Sequence, residues 1–243
     1  MTAAASPIEP REPKYYLVKR HLLEIIETLE PGAPVPTERE LTVELATSRT
    51  TVRQALSELV GEGRLIRRQG SGTFVAEPKI VWPFQMTSFT EQAAANGFVA
   101  SAKLLAAERI RASGEIATRL NLRSSAFAYR IERLRLADDV PMAVETSHLS
   151  VAAFPGLIKH LRQISSLYRV LADVYDVVPV SAEESIETAA ASPREAALLG
   201  TDTGAPMLIL SRHSFEIDGT PVEWVRSWYR GDRYRFVAHL STA

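Results

Sequence analysis

Apolar residues recur at helical spacing along three stretches near the start of the chain. The first spans about Tyr15 to Leu29, with Val18, Leu22, Ile25, Ile26 and Leu29 on one stripe. The segment PGAPVP breaks it, and Thr37 then opens a short helix with Glu40 three residues on, the spacing of a capping box. Leu41 and Leu45 are its inward side. A third helix opens at Ser48 and closes near Gly61 to Gly63, its stripe formed by Val52, Ala55, Leu56, Leu59 and Val60. The run RLIRRQGSGTFVA then alternates about a glycine-rich turn and predicts a hairpin. Three helices and a hairpin are the outline of a winged helix-turn-helix. Residues 1–13 are small, polar and proline-punctuated, a loose arm.

EPKIVWPFQ, with Pro78 and Pro83, interrupts the pattern and is expected to be a linker over 77–85, between units at 13–76 and 86–243. Beyond it helix and strand alternate. Ser88 to Asn96 predicts a helix closed by Gly97, and Leu104 to Ile110 a strand. One unit then occurs twice. SGEIATRLNL precedes AYRIERLRLADDVPMAVETSHL, and SPREAALLG precedes PMLILSRHSFEIDGTPVEWVRSWY. Each copy is a capped helix, a strand, a turn at Asp138-Asp139 or Asp218-Gly219, and a return strand. The pairing implies a pseudo-repeated α+β sheet domain.

Composition narrows the function. An apolar fraction of 46% and a charged fraction of 23% describe a globular chain. With no cysteine and five scattered histidines, no thiol nucleophile or cysteine-bound zinc is available and no metal or other cofactor is expected. No apolar run reaches the roughly 18 residues of a membrane span, and the N-terminus lacks a signal-peptide core; the expectation is cytoplasmic, with no membrane partner. The net charge of −1 provides no whole-molecule field for nucleic acid, so contact with DNA must come from a local patch.

That patch is at the third helix. Arg49, Thr50, Arg53 and Gln54 fall off its apolar stripe near the N-terminal end, where a recognition helix meets base edges. Arginine suits guanine O6/N7, and threonine suits a phosphate or a thymine methyl; Thr51 is counted with them. Arg39 is placed to clamp the backbone, and Arg67, Arg68 and Gly70 to bring the wing near the minor groove. The competing reading is a solvated helix face, its arginines paired with Glu58 and Glu62.

PKYYLVKRHLLEII, PVPTERELTVEL and SRTTVRQALSELVGEGRLIRRQGSGTFV together resemble the GntR family of transcription regulators. QGSGTFV and the domain after it resemble its HutC subfamily, whose effector domain is called UTRA. The resemblance implies a winged helix-turn-helix joined to an antiparallel, chorismate-lyase-like sheet domain with helices. It also implies operator contact by Arg39, Arg49, Arg53 and Gly70, and binding of a homodimer to a short palindrome of double-stranded DNA.

Chemistry in the second unit begins with Phe127 to Leu136. Strand periodicity puts Phe127, Tyr129, Ile131, Arg133 and Arg135 on one face. Two like charges there are costly unless an anion sits between them, and the planar fork of arginine matches phosphate or carboxylate. The alternative is an ion-pair network with Glu145, Glu187 or Glu223. In QISSLYRVLADVY, Ser165 or Ser166 caps a helix with Leu167, Val170, Leu171 and Val174 inward, and Tyr168 adds a hydroxyl. Ser88 and Phe89 open a similar helix. Glu145, Glu223 and Tyr229 suit the hydroxyls or amine of a sugar, whereas Trp82, Trp224 and Trp228 are read as packing.

MTSFTEQ, ERLRLADDVPMAVE, SSLY and PVEWVRSWYRGDRYRF resemble the UTRA domains of regulators of N-acetylglucosamine use. There the resemblance implies N-acetylglucosamine 6-phosphate or glucosamine 6-phosphate as effector. Phosphate would meet Ser88, Arg133, Arg135, Ser165 or Ser166, and Tyr168, and the sugar would meet Phe89, Glu145, Glu223 and Tyr229. The leading function is a repressor, not an enzyme, released from its operator by a phosphorylated small molecule. The alternatives are the same regulator answering phosphate, a phosphonate or another metabolite, a lyase by fold analogy, and a constitutive DNA binder.

Overall fold

The computed structural model describes residues 13–68, 70–77, 79–123, 125–161 and 166–239. The chain divides into two compact units, Met1–Pro78 and Lys79–Ala243.

In the first unit, helix α1 (Lys14–Thr28) buries Val18, Leu22 and Ile26. Helix α2 (Glu38–Glu44) opens on Thr37, whose hydroxyl accepts from Glu40 N while its own N–H donates to the Glu40 carboxylate at 2.7 Å. Helix α3 (Arg49–Gly61) opens on Ser48, whose Oγ accepts from Thr51 N at 3.2 Å. Val52, Ala55, Leu56 and Leu59 close the core from this helix. Strands β1 (Leu65–Arg68) and β2 (Gly72–Val75) form the antiparallel wing. The PGAPVP segment is more than a break: Val35 N donates to Thr73 O, and Pro34 bridges Phe74, so it runs along the wing's edge. Three helices and a two-stranded wing make this a winged helix-turn-helix.

The second unit starts with a departure from expectation. Residues 80–83, within the expected linker, form strand β3 (Ile80–Pro83), paired in parallel with β10 (Tyr234–Val237). Its partner lies at the other end of the chain, so no local pattern announces it. Pro83 is tolerated because β3 belongs to a two-stranded sheet and so has a free edge. Trp82, 1% exposed, packs on Phe89, Tyr229 and Tyr234 as a core residue.

Next come α4 (Phe89–Ala95), β4 (Ala100–Arg111), α5 (Gly114–Arg119), β5 (Phe127–Ala137) and β6 (Val140–Ser150). A short 3₁₀ turn, Leu157–His160, leads toward α6 (Leu167–Tyr175), β7 (Ser181–Ala190), α7 (Pro193–Leu199), β8 (Pro206–Phe215) and β9 (Pro221–Arg230). Six strands form one antiparallel sheet in the order β4-β5-β6-β9-β8-β7. This order is the repeat in three dimensions: β4-α5-β5-β6 and β7-α7-β8-β9 join back to back through β6 and β9. Both hairpins carry a bulge at the matching place, after Arg135 in the first and after Ser214 in the second. Asp138 and Asp139 turn the first hairpin with φ of 47° and 63°, as a two-residue primed turn requires.

The sheet separates two layers. On one face, Leu134, Leu136 and Val144 pack on Ala196 and Leu199 of α7. On the other, the α6 residues Leu167, Val170 and Leu171 pack on Ile131 and Leu149, and a second cluster forms around Trp82 and Phe89. Val174, expected inward, is exposed, because it stands on the last turn of a helix that ends one residue later. Among the described residues, no helix is long and apolar enough to cross a membrane.

Candidate functional site

Each unit holds one constellation. In the first unit, Ser48 draws the hydroxyls of Thr50 and Thr51 to 2.7 Å, fixing both threonines at the opening of α3. Arg49, Thr50 and Arg53 are exposed there, as are Arg39 on α2 and Arg68 and Gly70 on the wing. Arg53 is braced by Glu38, with Nε 3.1 Å from both carboxylate oxygens. The guanidinium of Arg68 lies 4.6 Å over the Phe74 ring. Gly70 turns the wing with φ of 74°, a conformation that suits glycine. Arg39 and Arg49 form no ion pair among the described residues. Glu58 and Glu62, the expected partners for these arginines on the solvated-face reading, take Lys19 of α1 instead.

In the second unit a pocket of about 640 Å³, its open mouth included, lies on the sheet between the starts of α4 and α6. Ser88, Phe89, Arg133, Arg135, Glu145, Ser166, Tyr168, Glu223 and Tyr229, nine of the residues expected to bind effector, line it together. Ser165 lies outside the described residues. Strand register explains the convergence. Arg133 stands opposite Glu145, Glu145 opposite Ser227 and Ser227 opposite Leu210; one rung on, Arg135, Ala143, Tyr229 and Leu208 align.

Arg133 and Arg135 are 4% and 2% exposed. Arg133 donates to Glu145, and Arg135 lies 3.7 Å from the same carboxylate. Thus, among the described residues, it is Glu145 that meets the ion-pair reading. Glu187 pairs with Arg226 instead, and Glu223 makes no ion pair among the described residues. The pair leaves arginine capacity over: Nε and Nη1 of Arg133 are buried with no partner among the described residues. Arg135 donates to the Thr90 hydroxyl at 3.1 Å and lies 4.5 Å over the Phe89 ring.

The two carboxyls diverge. Burial works against charge on Glu145, but Arg133 and Arg135 outweigh it and hold that carboxyl below the usual range. Burial and then the neighbouring Glu145 push Glu223 upward. Burial also raises the phenols of Tyr168 and Tyr229, so both are neutral hydroxyls. The pocket thus combines buried cations, a carboxyl held toward its charged form, another pushed toward its neutral form, and several hydroxyls. Ser88 is tied into a capping box with Glu91, and Ser166 caps α6 through Arg169 N at 3.3 Å.

Lining residues not foreseen include Thr87, Gln92, Glu184, Arg212 and Ser227. For Arg212 the signal appears only in the folded repeat. Two residues before each bulge stands an arginine, Arg133 in the first hairpin and Arg212 in the second.

The chain matches the UTRA domain over residues 95–235 and the description "Bacterial regulatory proteins, gntR family" over residues 15–75. It is 39% identical to the HTH-type transcriptional repressor NagR of Bacillus subtilis, over 94% of this chain and 95% of that protein. It is 37% identical to the HTH-type transcriptional repressor PhnF of Mycolicibacterium smegmatis, over 98% of this chain and 96% of that one. A crystal structure of PhnF superposes with a TM-score of 0.67 at 37% identity, covering 93% of this chain and all 100% of that one.

Proposed function

The chain belongs to the gntR family of bacterial regulatory proteins and carries a UTRA domain, and from that premise we propose that it is a repressor released from its operator by a phosphorylated sugar. As a DNA-binding transcriptional regulator it needs a reading element and a sensing element. Arg39, Arg49, Thr50, Thr51, Arg53, Arg68 and Gly70 are the operator-facing set. A homodimer carries two such sets onto a palindrome, one recognition helix per half-site.

The observation that carries the effector assignment is Arg133, buried with two unpartnered N–H donors in a polar pocket. A buried donor without a partner is costly, and a tetrahedral oxyanion satisfies it with charge-assisted hydrogen bonds. Arg135 stands beside it, and Ser166 and Tyr168 add hydroxyls at the start of α6. Glu145, Glu223 and Tyr229 then face the ring hydroxyls and the 2-amino or 2-acetamido group. An amino-sugar 6-phosphate, glucosamine 6-phosphate or N-acetylglucosamine 6-phosphate, supplies both ends. The effector is bound and released unchanged.

The test is a thermal-shift panel followed by calorimetry. It compares both amino-sugar 6-phosphates, the free sugars, inorganic phosphate and a phosphonate. At 100 times its Kd, a ligand stabilises the native state by roughly 2.7 kcal/mol, which raises the melting point by several degrees. The expected result is a shift with the sugar phosphates and none with the free sugars. A shift with inorganic phosphate or the phosphonate alone would favour the second reading, a sensor of a small oxyanion, which the same arginine donors also support. Turnover of any bound sugar phosphate, followed by mass spectrometry, would overturn the non-enzymatic reading.

A further inference from the structure

Arg133 and Arg212 occupy equivalent places in the two repeats, yet their surroundings differ. Arg133 holds donors in reserve. Arg212 spends its own on protein groups. Its Nε donates to Glu184 at 3.0 Å, its Nη1 to the Thr87 carbonyl at 3.0 Å, and its Nη2 to the Gln85 carbonyl at 3.3 Å and to Glu184 at 3.3 Å. Its side chain and that of Glu184 are 14% and 12% exposed. One repeat thus keeps an arginine for a ligand, and the other ties its arginine to a neighbouring stretch of main chain.

That stretch is the chain's entry into the second unit. Lys79 opens the unit, β3 comes next, and Gln85 to Thr87 lead into Ser88 and α4. Pro83, Thr87, Ser88, Phe89 and Gln92 of this entry form a wall of the pocket. We propose that Arg212, braced by Glu184, is the positioning residue that latches Gln85 to Thr87 against the sheet, so that ligand occupancy reaches the first unit through this segment.

The physical basis is competition for a guanidinium. Two of the Arg212 contacts are to neutral carbonyls, and an anion is the better acceptor. An oxyanion placed at Arg133 and Arg135 lies in the pocket that Arg212 also lines. It draws the Arg212 fork from the carbonyls, while Glu184 limits how far the fork travels. The entry segment is then freed, and it is covalently continuous with the first unit. The transmission step rests on the sensing role under Proposed function, whereas the latch rests only on the contacts of Arg212.

Two variants of the full chain, Arg212→Met and Glu184→Gln, test this with two readouts. The first needs no ligand. With 5-fluorotryptophan incorporated, the ¹⁹F resonance of Trp82 on β3 should move in both variants, while those of Trp224 and Trp228 stay in place. The second uses glucosamine 6-phosphate and a selected operator. Arg212→Met should bind the sugar phosphate within about fivefold of wild type, yet the effector's shift in operator affinity should fall below about twofold, from the 5–150-fold typical of coupled sites. Glu184→Gln should give an intermediate shift. An unmoved Trp82 resonance, or a full wild-type shift in either variant, overturns the latch. Because the anion only replaces carbonyl acceptors that Arg212 already holds, loss of sugar-phosphate binding in a folded Arg212→Met protein also overturns the latch, by making Arg212 an anchor of the ligand and not of the entry segment. A wild type indifferent to both sugar phosphates would defeat the effector assignment, and the fluorine readout would still decide the latch.

Discussion

At the scale of single residues, the pocket is governed by unequal treatment of like groups. Arg133 and Glu145 neutralise each other in a buried pair, which adds little net stability but is costly to break. Arg133→Ala removes the hydrogen-bonded partner of Glu145 and should cost about 3–5 kcal/mol, read as a lower urea midpoint, and should abolish the thermal shift with sugar phosphates. Glu223 behaves oppositely. Its pKa is raised by burial and by Glu145, so the native state holds a proton that the unfolded chain gives up first. Its contribution to stability is fully present below the ordinary glutamate value of about 4.3 and is lost as pH rises through the raised value. Glu223→Gln cannot ionise. Its stability relative to wild type should therefore climb from pH 4 to pH 8 in denaturant titrations. A difference that stays constant over that range would mean Glu223 is not held protonated.

At the scale of elements, capping and periodicity carry most of the information. The capping box at Thr37, the Ser48 cap of α3 and the glycine turn of the wing are local, and each is readable from a few neighbouring residues. Strand period alone puts Arg133 and Arg135 on one face, and register then brings Glu145 beside them. What local pattern does not supply is long-range pairing. β3 is four residues long, and its partner is at the far end of the chain, so its sequence resembles a linker. Arg212 is hidden for a related reason: only the alignment of the two bulges, a feature of the folded hairpins, makes it the counterpart of Arg133. Trp82→Ala tests the β3 assignment directly. Removing a ring that touches Phe89, Tyr229 and Tyr234 should cost the second unit about 3–5 kcal/mol; a linker tryptophan would cost almost nothing.

At the scale of the whole molecule, a nearly neutral chain concentrates exposed arginines on one small unit and buries others in a second, and the proposed function gives the first set to the operator and the second to the ligand. Arg49→Ala should weaken operator binding by about 1–3 kcal/mol at fixed salt, with the fold and the sugar-phosphate response of the second unit unchanged. Fluorescence anisotropy would measure it on a fragment selected from random DNA by the wild-type protein. The most direct measurement of ligand control uses the same fragment: operator affinity with and without saturating glucosamine 6-phosphate, and with glucosamine as control. A loss of affinity of roughly 5–150-fold with the phosphorylated sugar alone is the predicted result. Operator affinity unchanged by the sugar phosphate, in a protein that calorimetry shows to bind it, would contradict release by the pocket.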